Sequence, residues 1–173
     1  MSLSMYQASV PVFTRALANL RHVLQQGEAH AKAKNVSDAV LLQTRLIPDM
    51  LPLVKQVQIA CDMAARGCAR LAGVEPKSFA DNEATLAELY ARIDAATAYV
   101  QGFQPAQIDG SEARSVVFPS RNSPSGEQRF EGQAYLFDYV LPNLFFHCTT
   151  TYVILREAGA DLGKTDFIAG AKQ

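Results

Sequence analysis

The chain contains no tryptophan, only three histidines and three cysteines, and no run of basic residues. Sixteen Lys and Arg stand against seventeen Asp and Glu, for a formal net charge of −1, and the two signs are interspersed. This argues against nucleic acid as the main partner, because such binding rests on a concentrated positive surface that neutralises phosphates. Long hydrophobic runs are missing too. The most apolar stretch, 135–148, carries Asp138, Pro142, Asn143 and His147, and is too short and too polar to span a bilayer. Residues 1–6 show no cationic segment followed by an apolar run, so neither a secretory signal nor a membrane partner is expected. Cys61 and Cys68 fall on one predicted helix with about 10 Å of rise between them, too far to bridge. An odd number of apolar-flanked cysteines suits small buried side chains in a reducing compartment, so a cytoplasmic location is expected.

What is present is apolar periodicity. The 173 residues, 49% of them hydrophobic, suit one domain, 1–173, with a substantial core. Leu3, Tyr6, Val10, Phe13, Leu17, Leu20 and Leu24 recur at spacings of three and four, which predicts a helix with one apolar face. Leu46, Met50, Leu53, Val57, Ala60, Ala64 and Leu71 predict a second helix, stopped by Gly73. A third is expected over about 82–103, capped by Asp81 or Asn82. A fourth is expected over about 133–158, ending at Gly159. Helices with single apolar faces must bury them on one another, and a four-helix bundle is the simplest arrangement. The polar connection 27–38 reads as a surface loop or frayed helix end. The connection 104–132 reads as a long crossover holding a short hairpin, with strands at 114–118 and 128–131 around a turn rich in proline, serine and glycine.

Proline adds detail. Pro11 and Pro48 suit first turns, where the missing donor costs nothing. Pro142 follows apolar residues at helical spacing, so it should kink the fourth helix one turn before His147.

Few residues carry chemistry. His22 lies about 200° around its helix from Leu20 and is expected in solvent, as is His30 in the polar connection. His147 is different. Asn143 and Thr151 share its face, so the three form a polar ladder inside an apolar stripe. A second stripe beside the main one on the second helix, Ile47, Leu51, Val54, Gln58 and Cys61, has Gln58 as its polar member. Gln58, Asn143, His147 and Thr151 are therefore the candidate pocket residues, and a structural interhelical hydrogen bond is the competing explanation. His147 and Cys148 diverge by about 100°, so they form no thiolate–imidazole pair. Asp49, Asp62 and Asp138 are expected at the surface. Gly163, Lys164 and Thr165 look like the tail of a phosphate loop without its glycine spacing or strand.

Pro142-Asn143-Leu144-Phe145-Phe146-His147, Tyr152, Leu155-Arg156, Gly159 and Gly163-Lys164-Thr165-Asp166-Phe167 resemble an uncharacterised bacterial domain-of-unknown-function family grouped with the DinB/YfiT-like four-helix bundles. Arg45-Leu46-Ile47-Pro48-Asp49-Met50 and Gln56-Val57-Gln58-Ile59-Ala60 share that resemblance. It implies a DinB-like all-α bundle with a pocket at one end. In many members of the wider superfamily, three histidines there bind a divalent metal, several members are thiol-dependent transferases or isomerases, and many are dimers. On this chain His147 takes the place of one such histidine, Asn143 of its pair and Gln58 of the third. One imidazole and two amides make a poor zinc or nickel site, so no cofactor is expected and His147 could hold only a weak divalent metal. Three readings follow: a small-molecule-binding bundle with a degenerate metal site, a metal- or thiol-dependent S-transferase with His147 as ligand or base, and a structural protein or homodimer without an active site.

Overall fold

The computed structural model describes residues 3–120 and 123–170. These are mostly helical, with one antiparallel hairpin. Four long helices carry the core: α1 (Met5–Ala33), α3 (Leu53–Ala72), α4 (Leu86–Gln101) and α7 (Leu141–Glu157). Shorter elements join them: α2 (Asp38–Gln43), α5 (Pro105–Ile108), β1 (Ser115–Pro119), β2 (Glu127–Glu131), α6 (Gly132–Ala134), a π-helical segment (Tyr135–Val140) and α8 (Lys164–Ala169). Helix α3 packs on α7 and α4, and α1 packs on α4, α7 and α8. Phe13, Leu17, Leu24, Leu53, Leu71, Leu89, Ile93 and Leu144 are fully buried between them.

The first helix runs further than its apolar stripe suggests. Ser4 and Gln7 form a capping box at its start. Its C-terminal turns reach Ala33, where a loop or frayed end was expected. The reason is tertiary. Gly27 lies against Leu155 of α7, so closely that a Cβ there would come within 2.6 Å of Leu155 Cδ2. Glycine trades some helix propensity for that approach. Pro11 sits inside the helix rather than in its first turn.

The second predicted helix begins late, at Leu53 instead of Leu46. Pro48 and Pro52 disfavour helical backbone at the residues before them, so 46–51 stays irregular and Pro52 caps the helix. Ile47 and Leu51 consequently lie 53% and 47% exposed, outside the stripe assigned to them. The short helix α2 buries Leu41 and Leu42 instead. At α4 the cap is Thr85, which forms a capping box with Glu88, rather than Asp81 or Asn82. The hairpin lies where expected, with Ser115 opposite Glu131 and Pro119 opposite Glu127; Arg121 and Asn122 of its turn lie outside the described residues.

Candidate functional site

Pro142 is absorbed by a change of helix type upstream. It has no N–H to give, and across Tyr135–Val140 the helix widens to π spacing, with Leu141 N–H donating to the Leu136 carbonyl. Asn143 then donates its side-chain N–H to the Tyr139 carbonyl at 2.7 Å. One turn on, His147 turns toward α3 and is 9% exposed.

The protonation of that ring follows from its partner. Gln56 Nε2 donates to the Leu51 carbonyl at 2.9 Å, which points the amide oxygen at the imidazole. His147 Nδ1–H therefore donates to Gln56 Oε1, at 2.7 Å. Nε2 keeps its lone pair. Burial pushes the pKa down from 6.5 to about 4, so the ring is neutral at physiological pH and a weak base. It can accept a hydrogen bond, but is poorly matched to general-base work near pH 7. Thr151 Oγ1 donates to the His147 carbonyl at 2.9 Å. Two of the ladder's three side chains, Asn143 and Thr151, thus satisfy carbonyls four residues back, and His147 alone makes an interhelical bond.

Gln58 is directed elsewhere. Residues 56 and 58 lie about 200° apart around a helix, so only one can face His147. The structure gives that place to Gln56, which falls on the core stripe with Leu53 and Ala60 and was the amide to single out. Gln58 Nε2 instead donates to Glu83 Oε2 at 2.6 Å, within a cluster centred on Arg92. Arg92, 4% exposed, bonds Asp62 (2.5 Å), Asp81 (3.1 Å), Glu83 (3.0 Å) and the Ala80 carbonyl (3.2 Å), and stacks over Phe79. Asp62 is thereby largely buried, contrary to its expected surface position, whereas Asp49 and Asp138 are exposed. Two further histidines are less solvated than expected. His22 pairs with Asp166 at 3.0 Å, and His30 Nε2 donates to the Ala158 carbonyl at 3.1 Å.

The donors do not fit a tightly held divalent metal. The three positions do not converge: Gln58 faces Glu83 and the Arg92 cluster, Asn143 folds back on the Tyr139 carbonyl, and His147 faces Gln56. Among the described residues no three His, Cys, Asp or Glu side chains lie close enough together to hold an ion. Nor is there an activated thiol. Burial raises the Cys148 and Cys68 thiols to about 12, and raises Cys61 still further.

A cavity lies on the other side of α7. It measures about 330 Å³ and is lined by Pro11, Val12, Ala16 and Leu20 of α1, Phe145 and Cys148 of α7, and Phe167 and Ile168 of α8. Its polar groups are Arg15 and Asn19. Among the described residues, the exposed Arg15 has no carboxylate partner. Helix α8 closes one side. The His22–Asp166 pair and an Asn19 Nδ2–H bond to the Ile168 carbonyl (2.8 Å) hold it in place.

A mostly helical chain with one short antiparallel hairpin matches the architecture of a DinB-family structure. The chain belongs to the domain-of-unknown-function family DUF1993, which matches residues 5–168. It is similar to the crystal structure of a DinB family member protein from Shewanella denitrificans, with 37% identity, a TM-score of 0.86, and coverage of 95% of this chain and 91% of that one. No curated protein matches the chain. No helix among the described residues is long and apolar enough to cross a membrane.

Proposed function

We propose that this protein is a four-helix bundle that binds a small amphipathic organic acid without a tightly held metal. The ligand's apolar body would lie in the cavity between α1, α7 and α8, with its carboxylate on Arg15. The observation that carries this reading is the cavity itself. Its 330 Å³ falls at the lower end of the size of small-molecule sites, its walls are apolar, and one unpaired guanidinium stands at the rim. Engineered cavities of about 150 Å³ already take up benzene. A cytoplasmic setting is part of the proposal, supported by three free, buried cysteines. The S-transferase alternative is disfavoured because the buried histidine and thiols are neutral at pH 7.

Calorimetry with octanoate and octanol tests this. Octanoate is expected to bind and raise Tm, and Arg15→Gln to weaken it about tenfold while leaving octanol unchanged. Failure of both compounds to bind at millimolar concentration refutes the assignment. A second reading, self-association, is favoured by exposed Phe146 (58%), Ile47 (53%) and Leu51 (47%). Sedimentation equilibrium showing only monomer removes it.

A further inference from the structure

The C-terminal end of α3 carries a feature that neither the cavity nor His147 explains. Gly73 adopts a left-handed conformation (φ 71°), and Val74 N–H bonds back to the Ala69 carbonyl at 2.9 Å. This turn lays 73–78 beside β1 and leaves a cleft of about 500 Å³ between them. Arg66, Arg70, Lys77, Ser78, Ser115 and Glu75 supply its polar groups. Arg66 is paired with Asp62. Arg70 is not paired with any acid. Its guanidinium lies 4.0 Å from the centroid of Phe118, and Nη1 donates to the Tyr135 hydroxyl at 3.0 Å. The Lys77 ammonium lies over the rings of Phe79 and Tyr99, 5.2 and 5.9 Å from their centroids. The Arg114 guanidinium packs on Gly73. Among the described residues, none of these three cations has a carboxylate within 4.0 Å. A fork fixed by an aromatic face and a neutral hydroxyl keeps donors for an anion and loses little side-chain entropy when it binds one.

We propose that this cleft binds the phosphate group of a small phosphorylated compound. Arg70 supplies the bidentate fork, Lys77 a second charge, and the Ser78 and Ser115 hydroxyls further donors. The remaining space along β1 takes the organic part. Unpaired Arg70 and Lys77 in the lining, with Arg114 beside Gly73, outnumber the single Glu75 and favour a doubly charged group over a carboxylate. Arg70 lies fourteen residues along α3 from Gln56, roughly 21 Å, so this site is separate from the His147 pair.

Amide NMR of the ¹⁵N-labelled protein, titrated in chloride buffer with phenyl phosphate, inorganic phosphate and benzoate, tests the assignment. Phenyl phosphate is expected to shift the amides of Gly73, Val74, Glu75, Lys77, Ser78 and 115–118, with affinity falling at least tenfold in Lys77→Gln and in Arg70→Lys. Phenyl phosphate binding more tightly than inorganic phosphate identifies an organic phosphate, and equal affinities identify the free ion; both support the phosphate site. The proposal is overturned if neither compound shifts those amides, if benzoate does so with equal affinity, or if the Lys77→Gln variant binds unchanged. Lys77 is exposed, so that variant remains informative even where Arg70→Lys loosens the packing on Phe118.

Discussion

Acidification acts on His147 in a way that can be isolated. The unfolded chain takes up a proton on this imidazole near pH 6.5, the folded chain only near pH 4. Below 6.5 the unfolded state holds more protons, so stability falls as pH falls, by up to about 1.4 kcal/mol per unit from this group alone. Across the window the loss reaches about 3 kcal/mol, a large share of the ~5–15 kcal/mol typical of a folded domain. Other acid-labile groups contribute as well, so the informative quantity is a difference between variants. His147→Gln removes the titration and keeps an amide that can reach Gln56. At pH 7 the variant is expected to be about 1–2 kcal/mol less stable than the native protein, through the lost imidazole hydrogen bond and packing. By pH 4 that gap should shift by about 3 kcal/mol in the variant's favour. Urea unfolding at both pH values measures it. A gap that stays constant within about half a kcal/mol would show that burial does not depress the ring's pKa.

Other perturbations test the rest of the fold. Arg92→Met strips the shared cation from Asp62, Asp81 and Glu83, and should cost about 3 kcal/mol in urea unfolding, with faster proteolysis between residues 73 and 85; a loss under about 1 kcal/mol contradicts the role given to it. Gly132→Ala should destabilise more than Gly27→Ala, because the new Cβ meets the Ser111 carbonyl oxygen in one case and the movable end of Leu155 in the other; thermal melts showing the reverse order would refute this. His22→Ala should speed hydrogen exchange in α8 while leaving α3 unchanged. Asp166 is held below its ordinary pKa first by the Gly163 N–H and then by His22, so its contribution is present above pH 3.8 and fades as pH falls through the lowered value. Exchange in α8 that ignores both changes would exclude the pair as its fastener.

Much of the helical layout was legible because burial imposes a period on the sequence. Leu17, Leu20 and Leu24, or Leu89, Ile93 and Ala96, are inward in the structure as their spacing required. What failed to show was decided across the fold. Nothing local marks Gly27 as a contact point instead of a helix end, since the requirement comes from Leu155 in another helix. The prolines at 48 and 52 did carry a local signal, which the apolar spacing of Leu46 and Met50 outweighed in the reading. At the candidate site, α7 was placed correctly as the carrier of His147, with Asn143 and Thr151 at the expected helical offsets. The partner amide was misassigned because Gln56 and Gln58 both interrupt apolar stripes, and only the packing angle between α3 and α7 selects one. Nothing local singles out Arg92, because its three acids come from two separate stretches, Asp62 on α3 and Asp81 and Glu83 in the connection to α4.

The π turn before Pro142 has a further consequence. It amounts to one extra residue stored in an otherwise α-helical rod, so the faces on either side of it stay aligned as though that residue were missing. Deleting one residue from 135–140 would return the rod to regular spacing and still aim His147 at α3. The proline forbids that simple repair, because in a regular helix its ring would strike the carbonyl four residues back. The surplus residue is therefore tied to the proline: it cannot be deleted while Pro142 stays.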